Sequence, residues 1–164
     1  IEPDVYIEPV YASNIAISLI GKSICFNYAT EFVKKHPTIA PAKEFEFTDQ
    51  MYEDFVDFIK DKDYSYTTAS EKTIEDLLTT AEKDKVNPQT IEEIKRAKEL
   101  LIADKQNDIY KFKDEIKELL KSEIVSRYYY QKGRTEVALK NDTELDRAVE
   151  IVNNTKEYKK ILSK

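Results

Sequence analysis

Residues 16–23 partly match two chemical motifs, a serine–lysine pair and a phosphate-binding loop, and they meet the requirements of neither. Lys22 and Ser23 are a base and a nucleophile, but consecutive helical residues point about 100° apart and no Gly-rich turn supplies an oxyanion hole. Ala16-x4-Gly21-Lys22-Ser23 lacks the first glycine of a phosphate-binding loop and continues a helical apolar pattern. We therefore expect no catalytic and no cofactor-binding residue in this chain.

Histidine and cysteine each occur once. A lone His36 excludes a His-based triad and a multi-histidine metal site, and its place after a predicted helix suits the helix dipole. Cys25 lies in an apolar helical stretch and is interpreted as a buried, inert thiol. Asp61 and Asp63 lack the glycine and the spacing of a calcium loop. The sequence predicts no metal site.

Tyr128, Tyr129 and Tyr130 are the remaining candidates, with Arg134 close behind them. Tyrosine and arginine are enriched in protein interfaces. Consecutive helical residues fan out, however, so at most two of the tyrosines share a face. Packing within the chain is the first interpretation, and an interface formed by these four residues is the second.

Composition favours long solvated helices as the elements that position these residues. Charged residues make up 35% of the 164, whereas Gly occurs 2 times and Pro 5 times, which leaves little turn chemistry for a sheet. A net charge of −6 argues against a nucleic-acid partner. The apolar run from Ile15 to Ile20 is far shorter than the roughly 20 residues of a membrane span.

Periodicity predicts a mainly α fold, a helical bundle of about six or seven helices with long charged helices and a short extended N-terminal segment. We expect residues 1–11 to be extended and residues 12–164 to form the helical domain, with a sub-boundary near 64–70. A first helix is predicted over Ala12 to Lys35. The later signals are, in chain order, a capping box at Thr68 and Glu71, a helix start at Asn87-Pro88, a bend near 104–108 or else one long helix, a left-handed terminator at Gly133, and a cap at Asn141.

Four ordered segments of the chain resemble the end of a bacterial carboxyl-terminal processing, or tail-specific, serine peptidase. They are Ile1-Glu2-Pro3-Asp4-Val5; Leu19 to Pro41 with Phe26, Tyr28 and Ala29 and the His36 to Pro41 tail; Phe47-Thr48-Asp49 with Tyr52, Phe55 and Phe58; and Ile124 to Val152. The resemblance implies a secreted or periplasmic parent enzyme that uses a serine and a lysine upstream of Ile1, commonly beside a PDZ domain.

Neither catalytic residue of that family maps onto this sequence, so the resemblance implies a non-catalytic C-terminal domain. Its expected partners are the upstream protease core, a PDZ domain, the protein substrates of the parent and a second copy in a homo-oligomer. An independent helical interaction module with no protease attached is the alternative. A self-contained hydrolase is the third class, and we expect the chain alone not to cleave an unfolded protein.

Overall fold

The computed structural model describes residues 3–9 and 11–163, and these residues are mainly α-helical. They contain nine α-helices, one 3-10 helix and no strand. The helices are α1 Asn14–Gly21, α2 Ile24–Lys35, α3 Asp49–Ile59, α4 Ala69–Lys83, α5 Pro88–Lys105, α6 Asp108–Lys111, α7 Lys113–Ala138, α8 Thr143–Asn153 and α9 Thr155–Leu162, with the 3-10 helix at Leu139–Asn141. The predicted mainly α class is confirmed, and the predicted six or seven helices are too few.

Helix starts follow the capping chemistry of the sequence closely. At α4 the Thr68 hydroxyl accepts from the Glu71 N–H while the Glu71 carboxylate accepts from the Thr68 N–H, which is the predicted capping box. At α5 Asn87 caps the helix and Pro88 occupies its first turn, where a missing N–H costs nothing. The predicted bend near 104–108 is also present, because α5 ends at Lys105 and α6 begins at Asp108.

The predicted first helix from Ala12 to Lys35 is wrong as a single element. Ser23 has a φ of 57°, which is left-handed, so the chain forms α1 and α2 with a break between them. The Lys22 N–H closes α1 on the carbonyl oxygens of Ile20 and Ser18. Position 23 holds neither Gly nor Pro, so the local signal for the break was Gly21, which is the last residue of α1.

The predicted cap at Asn141 is displaced by one residue. Asp142 caps α8, and its carboxylate accepts from the Leu145 N–H at 2.9 Å. Asparagine and aspartate are equally good caps, so two in succession leave the start of the helix undecided by sequence alone.

Contacts divide the chain into two units, and the division runs through α2 and α7. The first unit comprises the described residues up to Tyr11, Ala29–Glu46 and the described residues after Leu120. The second unit comprises Ala12–Tyr28 and Phe47–Leu120. The predicted segment 1–11 and the sub-boundary near 64–70 stay predictions, and residues 1, 2 and 10 lie outside the described residues. Residues 3–9 form no helix.

The second unit contains an aromatic cluster that joins α2 to α3 and to the residues just before α3. Tyr28 makes edge-on contacts with Phe47, Phe55 and Phe58 at ring-centre distances of 6.2, 5.2 and 5.4 Å. Its hydroxyl donates to the Met51 carbonyl oxygen. The sequence contains no Trp, so Tyr and Phe supply the large aromatic side chains of this cluster. Cys25 is buried, as the sequence interpretation expected.

The first unit has a smaller core on the two helix segments that it contains. Phe32 of α2 contacts Phe45 edge-on at 6.4 Å and stacks on His36 at 4.0 Å. On α7, Ile124 and Val125 are fully buried. In α8 and α9 no described residue is buried. The first unit therefore consists of a packed part and a solvated helical hairpin.

Candidate interaction surface

The tyrosine triplet near the end of α7 begins with two side chains that are anchored within the first unit. Tyr128 donates its hydroxyl hydrogen to the carbonyl oxygen of His36. The Tyr129 hydroxyl lies 3.2 Å from the carbonyl oxygen of Ile39 and 3.1 Å from that of Ala40. Burial raises the pKa of the Tyr128 hydroxyl, so it remains a donor at neutral pH. Two of the four predicted interface residues are therefore engaged with the chain's own loop.

The third tyrosine is directed to solvent by its backbone. Tyr130 has φ 54° and ψ −151°, a combination that non-glycine residues rarely adopt, and it kinks α7 at this point. Its side chain is 78% exposed. The strain is held by the anchored Tyr128 and Tyr129 immediately before it. Of the triplet, Tyr130 is the side chain available to another molecule.

Gly133 follows the kink, and its role differs from the predicted left-handed terminator. Its φ is not positive, and it lies inside α7. A Cβ at Gly133 would lie 2.4 Å from the Tyr129 Cβ and 2.9 Å from the Val125 Cγ1. Glycine is required here because the two preceding turns approach too closely for a side chain. The terminator prediction is wrong, and the helix is interrupted at Tyr130 instead.

The anchored tyrosines join two segments that contain no Asp or Glu. Residues 32–43 carry Lys34, Lys35 and Lys43, and residues 124–135 carry three further cations, Arg127, Lys132 and Arg134. At the chain's overall frequency of 32 acidic residues in 164, about five would be expected in these 24 positions. A chain of net charge −6 therefore has a local concentration of positive charge in its first unit.

Four of these six cations make no ion pair within the described residues. Lys34 pairs with Glu31, and Arg127 with Glu123. The remaining cations Lys35, Lys43, Lys132 and Arg134 are exposed and form no salt bridge within 4.0 Å in the part of the chain that the structure describes. We call these four side chains together with Tyr130 the basic surface. Sequence reasoning identified Tyr130 and Arg134 but missed the three lysines, which the two acid-free stretches could have revealed.

In the second unit one serine hydroxyl lies near a lysine ammonium, but not as a catalytic dyad. Ser65 Oγ is 3.4 Å from Lys22 Nζ. The same ammonium lies 2.8 Å from the Asp63 carboxylate, and the Ser65 hydroxyl donates to Asp63 at 2.6 Å. The Lys22 hydrogen bond lowers the pKa of Asp63, followed by the bonds from Ser65. Because the Ser65 hydroxyl donates to Asp63 and Lys22 is ion-paired with that same carboxylate, this arrangement connects the end of α1 to the segment after α3.

A second polar cluster in the same unit closes the base of the α4–α5 hairpin. Lys105 Nζ lies 2.6 Å from the Glu71 carboxylate and 2.7 Å from the Tyr66 carbonyl oxygen. The Tyr66 hydroxyl donates to Asp108, and the Asp108 and Glu71 side chains are both buried. The Lys105 hydrogen bond is the main cause of a lowered pKa at Glu71, and burial is the main cause of a raised pKa at Tyr66. We call Tyr66, Glu71, Lys105 and Asp108 the hairpin clasp.

Lys105 also lines two open cavities, of about 290 and 360 Å³. The smaller is lined largely by apolar side chains such as Ile15, Ile102 and Ile109. A ligand site of this size usually presents a few unpaired polar groups. Among the described residues no buried side-chain nitrogen or oxygen lacks a hydrogen-bond partner, and no three His, Cys, Asp or Glu residues are grouped to hold a metal ion. The basic surface is therefore the stronger candidate site.

Comparison with known families gives one description for most of the chain. The family model described as "Probable PDZ-protease, C-terminal helical domain" matches residues 15–152. Comparison with curated proteins and with solved structures gave no match. None of the described helices is long and apolar enough to cross a membrane. The family match begins at the second residue of α1 and ends at the penultimate residue of α8, so the basic surface, the hairpin clasp and the aromatic cluster all lie inside it. This chain belongs to the family of C-terminal helical domains of probable PDZ-proteases.

Proposed function

We propose that this chain is a non-catalytic domain of a secreted or periplasmic serine peptidase that cleaves proteins near unstructured C-termini. The serine and the lysine of that enzyme lie outside this chain. The domain braces the protease core and controls how a protein substrate reaches it. The family match supports attachment to a protease. The pairing of Lys22 with Asp63 supports a structural role for Lys22 and Ser65.

Tyr130 is the observation that carries the proposal of a contact surface. A strained backbone costs about 1–3 kcal/mol and persists only where surrounding contacts impose it. Here the contacts are those of Tyr128 and Tyr129, and the result is a 78% exposed aromatic side chain four residues before the exposed Arg134. An exposed tyrosine and an arginine on a rigid support are the residue types that dominate binding energy in interfaces.

The test uses the full-length parent enzyme with Tyr130→Ala and Arg134→Ala combined. Cleavage of a protein with an unstructured C-terminal tail should fall several-fold, because the tail is no longer placed at the entrance. Cleavage of a short peptide should be unchanged, since a short peptide does not need placement. A parallel deletion of residues 42–164 should lower stability, assembly or tail cleavage. Unchanged behaviour of both variants on both substrates would sink the proposal.

An oligomer contact through α8 is a second candidate role, and a specific observation favours it. Leu145, Val149 and Val152 occupy one stripe of α8 and are 38%, 50% and 65% exposed. Exposed apolar stripes of this kind mark protein contacts. Light scattering of the full-length parent against concentration tests the role. If the Leu145→Ser, Val149→Ser variant keeps the mass of the wild type, α8 is not an oligomer contact.

A further inference from the structure

We propose that the basic surface binds acidic segments of polypeptide substrates. The surface consists of Lys35, Lys43, Tyr130, Lys132 and Arg134, which belong to the two acid-free segments joined by the anchored tyrosines. The binding of acidic polypeptide follows from the residues themselves, whereas the identity of that polypeptide as a substrate rests on the proposed function. The inference specifies the chemistry that the domain selects for.

Charge complementarity is the first reason. Lysines elsewhere in the chain have acidic neighbours. Lys60 and Lys98 have a carboxylate within 4.0 Å, and Lys72, which forms no ion pair within the described residues, directly follows Glu71. The four cations of the basic surface form no such pair within the described residues, and no Asp or Glu occurs in either segment that carries them. The pKa of Glu31 is lowered mainly by its hydrogen bond to Lys34, and Lys35 is near enough to contribute. None of the four cations is held in an ion pair within the described residues, however, so their charge can attract an anionic partner as it approaches.

The composition of the surface indicates a transient partner. Permanent interfaces bury a large apolar centre, whereas this surface has one exposed aromatic side chain among four long cationic ones. Rim-type charges mainly raise the association rate and remain sensitive to salt. Weak, fast and salt-sensitive binding suits a polypeptide that passes over the domain, and it does not suit a fixed contact with the protease core.

Polypeptide is a better partner than nucleic acid. A nucleic acid brings about one phosphate charge per 1.7 Å of duplex, so a long strand would also meet the remaining surface of a chain with net charge −6. A short acidic segment meets only the local positive charge. Tyr130 adds an aromatic contact for an apolar or aromatic side chain within that segment.

The test measures fluorescence anisotropy of labelled 20-residue unstructured peptides with the full chain. One peptide contains six Glu residues beside a Leu and a Phe, and its matched control has Gln at the six Glu positions. We expect the Glu peptide to bind at least tenfold more tightly than the Gln peptide at low salt, and the difference to shrink as NaCl is raised. A single-stranded oligothymidylate of equal charge should bind more weakly than the Glu peptide.

Charge reversal locates the binding. The test variant combines Lys35→Glu, Lys132→Glu and Arg134→Glu, and it should bind the Glu peptide at least tenfold more weakly than the wild type. The control variant combines Lys72→Glu, Lys83→Glu and Arg96→Glu, which changes the net charge by the same amount. These positions are exposed on α4 and α5 and form no ion pair in the described part of the chain. The control should lose less than threefold in affinity for the Glu peptide. Equal losses in the two variants, equal binding of Glu and Gln peptides, or tighter binding of the oligothymidylate would each overturn the inference.

Full-length enzyme separates this inference from the proposed function. If the Lys35, Lys132, Arg134 reversal slows cleavage of a protein with an acidic tail and leaves a Gln-substituted tail unaffected, both hold. If the peptide binds the chain as expected but tail cleavage is unchanged for both tails, acidic-segment binding stands and the substrate-access role fails. If the peptide does not bind, the inference fails whatever the enzyme does.

Discussion

Tyr129 and Val125 leave too little space for a side chain at position 133, which is occupied by glycine. A Cβ there would meet the Tyr129 Cβ at 2.4 Å and the Val125 Cγ1 at 2.9 Å. Helix propensity favours alanine over glycine by about 1 kcal/mol, but overpacking of a buried contact costs about 1–3 kcal/mol. We expect Gly133→Ala to lower the free energy of unfolding by about 1–2 kcal/mol in urea titrations.

Gly21 is the matched control, because nothing lies within 4 Å of the Cβ that alanine would add there. Gly21→Ala should leave the free energy of unfolding unchanged or raise it by up to about 1 kcal/mol. A Gly133→Ala variant as stable as the Gly21→Ala variant would contradict the close approach of the two α7 turns.

Tyr130 should show an inverted preference between glycine and alanine. Its φ of 54° is costly for any residue with a Cβ, and its exposed side chain contributes little packing. We expect Tyr130→Gly to be more stable than Tyr130→Ala by about 1 kcal/mol in thermal unfolding. At Glu118, an exposed position in the interior of α7 before the kink, alanine should exceed glycine by about 1 kcal/mol. The same order at both positions would refute the strained kink.

At the scale of elements, the α4–α5 hairpin depends on the clasp at its base. Of the residues in α4 and α5, only Glu71 and Ala81 are buried. Lys105→Met removes the ammonium that lies 2.6 Å from the Glu71 carboxylate, whose side chain is 8% exposed. Leaving that carboxylate unpaired should lower the free energy of unfolding by about 2 kcal/mol at pH 7. Hydrogen exchange of α4 and α5 amides should accelerate with it.

The pH dependence and a matched pair identify the cause. Lys105 lowers the pKa of Glu71 below its ordinary 4.5, so the stabilisation is present above that pH and is lost as the pH falls through the folded-state pKa. The difference in the free energy of unfolding between wild type and Lys105→Met should therefore become smaller between pH 5 and pH 3.

Lys98→Met is the matched control, because it breaks the exposed pair with Glu75 on the same hairpin. It should lower the free energy of unfolding by less than about 1 kcal/mol. A pH-independent difference would exclude the ion pair as the cause.

Elements were predictable from sequence where a local signal forces them. The Thr68–Glu71 box and the start at Pro88 are satisfied by residues three positions apart or fewer, so pattern alone located them. The breaks at Ser23 and Tyr130 are different, because both have left-handed backbone without glycine. At Tyr130 the conformation is imposed by hydrogen bonds to residues about 90 positions away, which periodicity does not contain.

The candidate site was predictable to a similar extent. Tyr130 and Arg134 were recognisable by residue type, and the excess of lysine in residues 32–43 is visible in the sequence. That these two parts of the chain lie together was not predictable, because it depends on hydrogen bonds from the Tyr128 and Tyr129 hydroxyls to the loop after α2. Sequence indicates which residues are suited to binding, and tertiary contacts decide which of them lie together.

At the scale of the whole molecule, burial is unevenly distributed along the chain. The buried residues of the described ranges all lie between Ile15 and Val137. α8 and α9 contact each other, with Arg147 lying 2.5 Å from Glu157, but neither contains a buried residue. Hydrophobic stabilisation scales with the apolar area removed from water, so this hairpin contributes little to folding.

Removing residues 143–164 should therefore leave the rest of the chain folded. We expect the melting temperature by circular dichroism to change by less than about 3 °C, since less than about 1 kcal/mol of burial is lost. Trypsin should release the same segment first from the intact chain, because local unfolding is easiest where burial is least. Ile124→Ala at a fully buried position should cost about 2–5 kcal/mol and shows that the assay detects core loss. A truncated chain that melts as low as Ile124→Ala would mean that α8 and α9 stabilise the fold, and the exposed α8 stripe would then be a structural surface and not an unoccupied contact.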